Sequence, residues 1–155
     1  MQRTPLLIAA EEGHTALGGW LLDQGADPEA QDEGGDDVLF KASYGGHTAI
    51  VSVLLDRGID INRPAGGGWV PLMAAASIGH VAVVELLLSR KEIEIDHQHD
   101  DGGGTVDDGG GTALYVASED NHSEVIGLLL QAGADPRIAT NDGRTPLDIV
   151  RERGK

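Results

Sequence analysis

The hydrophobic pattern of residues 70–88 predicts two short helices joined by a tight turn. Apolar residues follow one helical face from Leu72 to Ala76, after Pro71, which the first turn of a helix tolerates. Gly79 interrupts this pattern and suits the left-handed turn that ends a helix. A second apolar run, residues 81–88, contains more large side chains than so short a helix buries alone. We therefore expect the pair to pack against neighbours of its own kind.

Copies of this unit recur along the chain at a nearly constant period. Matches to the first helix begin at Thr4, Asp37, Val70, Thr112 and Thr145, so the offsets are 33, 33, 42 and 33 residues. Four copies continue with a histidine and an apolar run that ends in two leucines; these histidines are His14, His47, His80 and His122. A fixed period of roughly 20–50 residues indicates a solenoid of stacked units.

The motif T-P-L-x-x-A, which begins at Thr4, and the 33-residue period closely resemble the ankyrin repeat. The resemblance covers nearly the whole chain as four full repeats and a terminal half repeat. It implies an all-α solenoid of helix-turn-helix units joined by hairpin loops, with residues 1–155 as a single domain. It also implies that the recurrent histidines hydrogen-bond neighbouring backbone, and that the chain is a non-catalytic protein–protein interaction module.

The first repeat contains two glycines in the middle of its second helix. Gly18 and Gly19 each cost about 1 kcal/mol against alanine in a helix interior. Other copies place valine or isoleucine at the position of Gly18, so a core side chain is also lost there. We expect Trp20 to refill part of that space, and we expect this repeat to open first.

The third and fourth repeats are separated by nine additional residues within the segment 91–111. One follows the leucine run, and eight lie in residues 98–111. The sequences D-D-G-G-G-T-V and D-D-G-G-G-T-A stand side by side in residues 100–113, which indicates a tandem duplication. Loop length costs little free energy, so a slipped copy tolerated in a surface loop is the favoured interpretation. A longer finger beside the binding face is the alternative.

Composition narrows the class of partner. The net charge of −15 disfavours nucleic acid and anionic membranes as partners. The chain contains no cysteine, so disulfides and thiolate metal sites are excluded. An intracellular, cytoplasmic location fits this composition. We expect no cofactor, and either a monomer or part of a longer chain.

One cluster invites a metal interpretation. His97 and His99 alternate on an extended segment beside Asp96, and alternate side chains of such a segment face the same way. No defined metal-ligand spacing supports it, and neither a nucleophile elbow nor a phosphate-binding loop is present, so we predict no catalytic or metal site. A calcium, zinc or enzymatic role of the Asp/His loop 96–108 is one alternative, and a purely structural spacer in a longer array is another.

The resemblance places recognition on the concave face, formed by hairpin tips and the exposed ends of the first helices. The residues that map there are Glu11, Glu12, Glu33, Asp36, Tyr44, Trp69, Ser77, Ile78, Asp108, Glu119, Asp120, Asn141 and Arg144. Most are acidic, and Tyr44, Trp69 and Ile78 add apolar surface near the middle. Aromatic anchors inside a charged rim are typical of binding hot spots, whereas rim charges steer association. Alternatively, Trp69 packs back on the protein and the acids only keep it soluble.

Charge is unevenly distributed along the chain. Residues 137–155 carry five basic and three acidic side chains, so the remaining residues carry all of the negative excess. A basic partner protein is therefore expected on the first four repeats.

Asn62 is a candidate for modification. It lies in the sequence I-D-I-N, at a hairpin position that resembles the site of asparaginyl hydroxylases on ankyrin proteins. The alternative is an unmodified asparagine that braces its turn.

Overall fold

Helices stacked in two rows make up residues 3–100 and 109–153, the part of the chain that the computed structural model describes. In chain order they are α1 (Pro5–Glu11), α2 (Thr15–Asp23), α3 (Val38–Tyr44), α4 (Thr48–Asp56), α5 (Pro71–Ile78), α6 (Val81–Leu88), α7 (Ala113–Glu119), α8 (Ser123–Gln131) and α9 (Pro146–Arg153). The odd-numbered helices pack on one another in one row and the even-numbered helices in a second. The predicted all-α solenoid is therefore confirmed.

Side-chain caps explain where most of the first helices begin. Thr4, Asp37 and Thr112 each accept the N–H of the residue three positions on, over 3.2, 2.8 and 3.2 Å. An aspartate thus performs at α3 the capping that threonine performs at α1 and α7, as the sequence predicts. Val70 provides no side-chain cap for α5.

The core runs along the row of first helices. Leu6, Leu39, Leu72 and Leu114 occupy one repeat position and are at most 2% exposed. The alanine three residues later is fully buried in the same four helices. Each first helix thus presents one large leucine and one small alanine to the core. Because alanine is small, successive first helices approach closely. Among the described residues, no helix is long and apolar enough to cross a membrane.

A ladder of imidazole hydrogen bonds joins consecutive repeats. The Nε2 atoms of His47, His80 and His122 lie 2.8, 2.9 and 2.9 Å from the main-chain oxygens of Glu11, Tyr44 and Ser77. A carbonyl oxygen only accepts, so Nε2 carries the proton in each bond. The backbone-binding role predicted for the recurrent histidines is confirmed for these three and stays a prediction for His14. Each bond fixes the last turn of the preceding first helix.

Each ring of the ladder lies directly over a glycine of the preceding repeat. Gly13, Gly46 and Gly79 have φ of 72°, 74° and 83°, and an added Cβ would lie 2.5–2.6 Å from the next histidine's Nδ1. Both the left-handed backbone and the close approach therefore require glycine. Asn121 takes the same turn with φ of 59°. The chain has no histidine after His122, so no later imidazole demands a glycine there.

The expected refilling of the first repeat by Trp20 is wrong. Trp20 is 57% exposed. Gly18 is buried, and a Cβ at this position would lie 2.6 Å from Cδ1 of Ile50 on α4, the second helix of the next repeat. Ile50 is fully buried, so the neighbouring repeat already occupies the space that Gly18 leaves open.

Gly19 provides a cleaner test of whether the first repeat opens first. A Cβ there would meet only Val53, at 4.0 Å, and one at Gly127, the same repeat position in α8, would meet nothing within 4 Å. Each alanine substitution should therefore stabilise its own helix by about 1 kcal/mol. Hydrogen exchange should show that the amides of α2 exchange faster than those of α4, α6 and α8. Gly19→Ala should slow the exchange of the α2 amides, and Gly127→Ala should leave it unchanged. Parent α2 amides as well protected as those of α4 would contradict this prediction.

A hairpin closure also brackets the segment that contains the long insertion. In three hairpins, an N–H donates to the carbonyl four residues later: Asp32 to Asp36 at 3.0 Å, Ala65 to Trp69 at 2.7 Å and Thr140 to Arg144 at 2.9 Å. In the third repeat's hairpin, the N–H of His99 donates to Gly111 at 3.2 Å. The same closure therefore encloses eight more residues. Residues 101–108 of this segment lie outside the described part of the chain.

Candidate partner-binding face

Large apolar side chains that are exposed in the described residues fall into two groups. The first lies in helices at the two ends of the array: Ile8, Leu17, Trp20, Leu130, Leu147 and Val150. For Leu17 the end position explains the exposure, because its copies in later repeats, Ile50, Val83 and Val125, are fully buried. The second group is Tyr44, 52% exposed, and Ile78, 41% exposed. Both end first helices of interior repeats, so an absent neighbouring repeat does not explain their exposure.

Tyr44 forms one wall of a cleft between α1 and α3. The cleft has a volume of about 350 Å³ and is lined by Glu11, Asp36, Phe40, Lys41, Tyr44 and Gly45. The Tyr44 ring stacks on Phe40, with centroids 6.3 Å apart and planes inclined by 16°. The histidine ladder holds the backbone of Glu11 through His47 and that of Tyr44 through His80. The cleft therefore combines two aromatic rings with charged residues, and the ladder holds the backbone at Glu11 and Tyr44.

An internal ion cluster closes one side of this cleft. Nζ of Lys41 lies 2.8 Å from carboxylate oxygens of both Asp32 and Asp36. Burial opposes ionisation of Asp32, but the Lys41 ammonium and two backbone N–H groups outweigh it and lower the pKa of this carboxyl. Burial likewise opposes the charge on Lys41, but the two carboxylates raise its pKa. Asp36, predicted as a steering group, therefore also neutralises Lys41.

Trp69 has a different environment from Tyr44. Its side chain is half-buried against the core, and its ring lies 5.3 Å from that of His99 in the next hairpin, centroid to centroid. These contacts favour a packing contribution between adjacent hairpins. Its role as a binding anchor stays a prediction.

The other predicted residues are spread along the same face. Ser77 is half-buried and donates its hydroxyl to the oxygen of Ala74 at 3.1 Å, next to exposed Ile78. Glu119 and Asp120 end α7, the last of the interior first helices. Glu33 and Glu12 are exposed, Asn141 is exposed at a hairpin, and Asp108 lies outside the described residues.

Arg144 lies beyond the cleft, at the start of the fifth repeat. Its Nη2 lies 2.9 Å from Oε2 of Glu152. The buried Tyr115 nearby has a pKa raised to about 12, first by burial and then by the charge of Glu119. The structure thus brings Glu11, Asp36 and Tyr44 into one site and leaves Arg144 outside it.

Sequence reasoning missed Phe40 and Lys41 as parts of the site. Phe40 precedes Tyr44 by four residues on α3, so both lie on one helix face. That spacing was available as a signal. Nothing in the sequence indicated that Lys41 would be neutralised by two aspartates of the preceding hairpin.

Asn62 braces two hairpins. Its Nδ2 donates to the oxygen of Glu92 at 2.6 Å, and its Oδ1 accepts the N–H of Glu94 at 2.9 Å. These bonds are the bracing role considered as the alternative to modification. Hydroxylation of Asn62 stays a prediction.

The metal interpretation of loop 96–108 gains no support from its described part. Oδ1 of Asp96 accepts the N–H of Asp135 at 3.0 Å, and Nε2 of His97 lies 3.2 Å from the oxygen of Gly68. His99 is buried, with Nδ1 2.9 Å from the oxygen of Asp100. Within residues 3–100 and 109–153, no three His, Cys, Asp or Glu residues form a group that could hold a metal ion. Asp101, Asp107 and Asp108 lie outside these residues.

The cap of the helix that carries Tyr44 should make stability depend on pH. Asp37 is 1% exposed; burial raises its pKa, opposed by the Phe40 N–H and by Arg63, whose Nε lies 3.7 Å away. Because the folded pKa exceeds the unfolded one, the stability contributed by this group is full below the ordinary value near 3.8 and is lost as pH rises through the raised pKa.

Asp37→Thr should therefore stabilise the protein at pH 7 by about 1 kcal/mol, the cost of a buried oxygen that lacks a hydrogen bond. The gain should shrink as pH falls through the raised pKa of Asp37 and should level off below the ordinary value near 3.8. Thr112→Asp, the reverse change at an equally buried cap, should destabilise at pH 7. Urea unfolding at pH 7 and at a pH below the ordinary aspartate pKa measures these effects. A gain for Asp37→Thr that does not depend on pH would refute the explanation.

Comparison with known proteins agrees with this architecture. The family model described as "Ankyrin repeats (3 copies)" matches residues 6–99, and the model described as "Ankyrin repeats (many copies)" matches residues 94–150. The chain belongs to the ankyrin repeat family. Ankyrin repeats generally mediate protein–protein interaction.

Curated relatives match only short parts of the chain. "Protein phosphatase 1 regulatory subunit 12A" of Mus musculus is 49% identical over 45 residues, which cover 29% of this chain and 4% of the relative. "Regulatory protein NPR6" of Arabidopsis thaliana is 48% identical over 40 residues, which cover 26% of this chain and 9% of the relative. "BTB/POZ domain and ankyrin repeat-containing protein NOOT2" of Medicago truncatula is 50% identical over 40 residues, which cover 26% of this chain and 8% of the relative. The chain thus spans less than a tenth of the length of these relatives.

Proposed function

We propose that this chain is a non-catalytic module that binds a partner protein on the face lined by Tyr44 and Ile78. The observation that carries the proposal is the exposure of these two side chains in interior repeats, where copies of the fold supply neighbours on both sides. Aromatic and aliphatic anchors are the usual centres of protein interfaces. Two of the three relatives are named as regulatory proteins, which supports a binding role over a catalytic one.

The partner in this proposal presents a basic surface. Glu11 lines the cleft, Glu12 and Glu33 are exposed, and Lys41 is neutralised by Asp32 and Asp36. The net charge of −15 is concentrated outside residues 137–155. Such a field accelerates encounter with a basic protein and repels nucleic acid and anionic membranes. An intracellular meeting of the two proteins is part of the same proposal.

Photo-cross-linking maps the proposed face directly. A benzophenone amino acid replaces Tyr44 in one variant and Trp20 in a control variant, since both side chains are exposed but only Tyr44 lies on the proposed face. The Tyr44 variant should cross-link a defined protein in cells of the source, and the Trp20 variant should not. Excess unlabelled parent should compete the adduct away. Equal adducts at both positions would show that the face is wrongly assigned.

A further inference from the structure

A guanidinium group already lies at the acidic edge of the Tyr44 cleft. The carboxylate of Glu11, which lines the cleft, forms an ion pair with Arg3 of the same chain. Both side chains are partly exposed, at 53% for Arg3 and 39% for Glu11. Arg3 precedes α1 and belongs to no helix. The edge of the cleft therefore accommodates an arginine side chain that another arginine could replace.

The wall beside Glu11 suits the flat face of that group. Tyr44 is half-exposed and stacked on Phe40, so one face of a paired aromatic unit borders the cleft. A guanidinium stacks on aromatic rings and pairs with a carboxylate through a planar fork, whereas an ammonium does so less well. Glu11 and Tyr44 occupy the same repeat position on adjacent first helices, so a carboxylate and a ring are presented side by side.

The remaining charges around the cleft favour a cation over an anion. Of the described residues that line it, Lys41 is the only basic one, and it lies 2.8 Å from each of two carboxylates. A bound anion would have to displace those carboxylates. A bound cation would instead be attracted by the excess of negative charge that remains.

We propose that this cleft binds an arginine side chain of an extended partner segment, and that Arg3 competes with it for Glu11. The inference rests on the proposed function and specifies its chemistry. The cleft, about 350 Å³ in volume, holds one long side chain and part of an apolar neighbour rather than a folded surface. The partner segment thus combines an arginine with aliphatic residues.

Three matched peptides test the choice of arginine. The probes are acetyl-Leu-Arg-Leu-amide and its lysine and citrulline counterparts, titrated into the full chain labelled with ¹⁵N and followed by NMR. Citrulline keeps the shape of arginine without the charge. The arginine peptide should bind roughly tenfold more tightly than the citrulline peptide, since a hydrogen bond to a charged group is lost. The lysine peptide should be intermediate, and the shifts should centre on residues 11 and 40–45.

Two variants test the competition. Arg3→Ala should tighten binding of the arginine peptide about two- to fivefold, the range expected for release of one exposed ion pair. Glu11→Gln should remove the preference for arginine over citrulline, whereas Glu12→Gln, an exposed neighbour outside the cleft, should keep it. Thermal melting verifies that the variants fold.

Equal affinities of the three peptides, or no binding of the arginine peptide, would overturn the proposal. An unchanged affinity in Arg3→Ala would overturn the competition. If the peptides fail in this way but position 44 still cross-links a partner, the proposed binding function is retained and only the arginine site is rejected. Loss of the cross-link as well would remove both.

Discussion

Gly79→Ala is expected to lower the free energy of unfolding by about 3 kcal/mol, the sum of a left-handed alanine and a lost hydrogen bond. Gly79 has φ of 83°, and an added Cβ would lie 2.5 Å from Nδ1 of His122. The ring must move away and give up its 2.9 Å bond to the oxygen of Ser77. Urea unfolding monitored by circular dichroism measures the change.

Gly58→Ala is the matched control for this effect. Gly58 has φ of 78°, close to that of Gly79, but a Cβ there would meet nothing within 4 Å. Gly58→Ala should therefore lower the free energy of unfolding only by the cost of an alanine in the left-handed conformation, about 1–2 kcal/mol. Equal losses in the two variants would mean that the histidine ladder contributes nothing measurable to stability.

Tyr44→Ala should weaken partner binding by about 2 kcal/mol or more, roughly 30-fold, as expected for a hot-spot residue. The free energy of unfolding should change little, because half of this side chain is exposed in the free protein. The measurement is isothermal titration calorimetry with the protein captured by the cross-linker at position 44.

Trp20→Ala is the control for binding. Trp20 is larger than Tyr44 and slightly more exposed, but it lies on α2, in the row of second helices. Its loss should change affinity by less than about 0.5 kcal/mol, as for surface substitutions away from an interface. A Tyr44→Ala variant that binds like the parent would exclude Tyr44 as an anchor.

The fold could be predicted from the sequence because the same local pattern of capping, turn and core residues recurs in each repeat. The caps at Thr4 and Thr112, the left-handed turn at Gly79 and the ladder histidines depend on nearby residues and on one period of the chain. Translation of one unit by its period reproduces its contacts, so a pattern recognised once predicts all copies. The all-α solenoid followed from this repetition.

The candidate site could be predicted only in part, since it depends on contacts between repeats. The exposure of Tyr44 and Ile78 agrees with their predicted place at the ends of first helices. Three contacts each join residues of different repeats: the rings of Trp69 and His99, the Lys41 ion cluster, and Ile50 over Gly18. Their geometry depends on rotamers and on the offset between units, which hydrophobic periodicity does not specify.

Hydroxyl-radical footprinting of the parent protein, free and with its partner bound, tests the central claim most directly. Tyr44, Ile78, Trp20 and Leu130 are all substantially exposed in the free chain and should be oxidised there. In the complex, Tyr44 and Ile78 should lose most of their reactivity, while Trp20 and Leu130 keep theirs. Protection of Trp20 and Leu130 with Tyr44 and Ile78 still oxidised would contradict the assignment of the binding face.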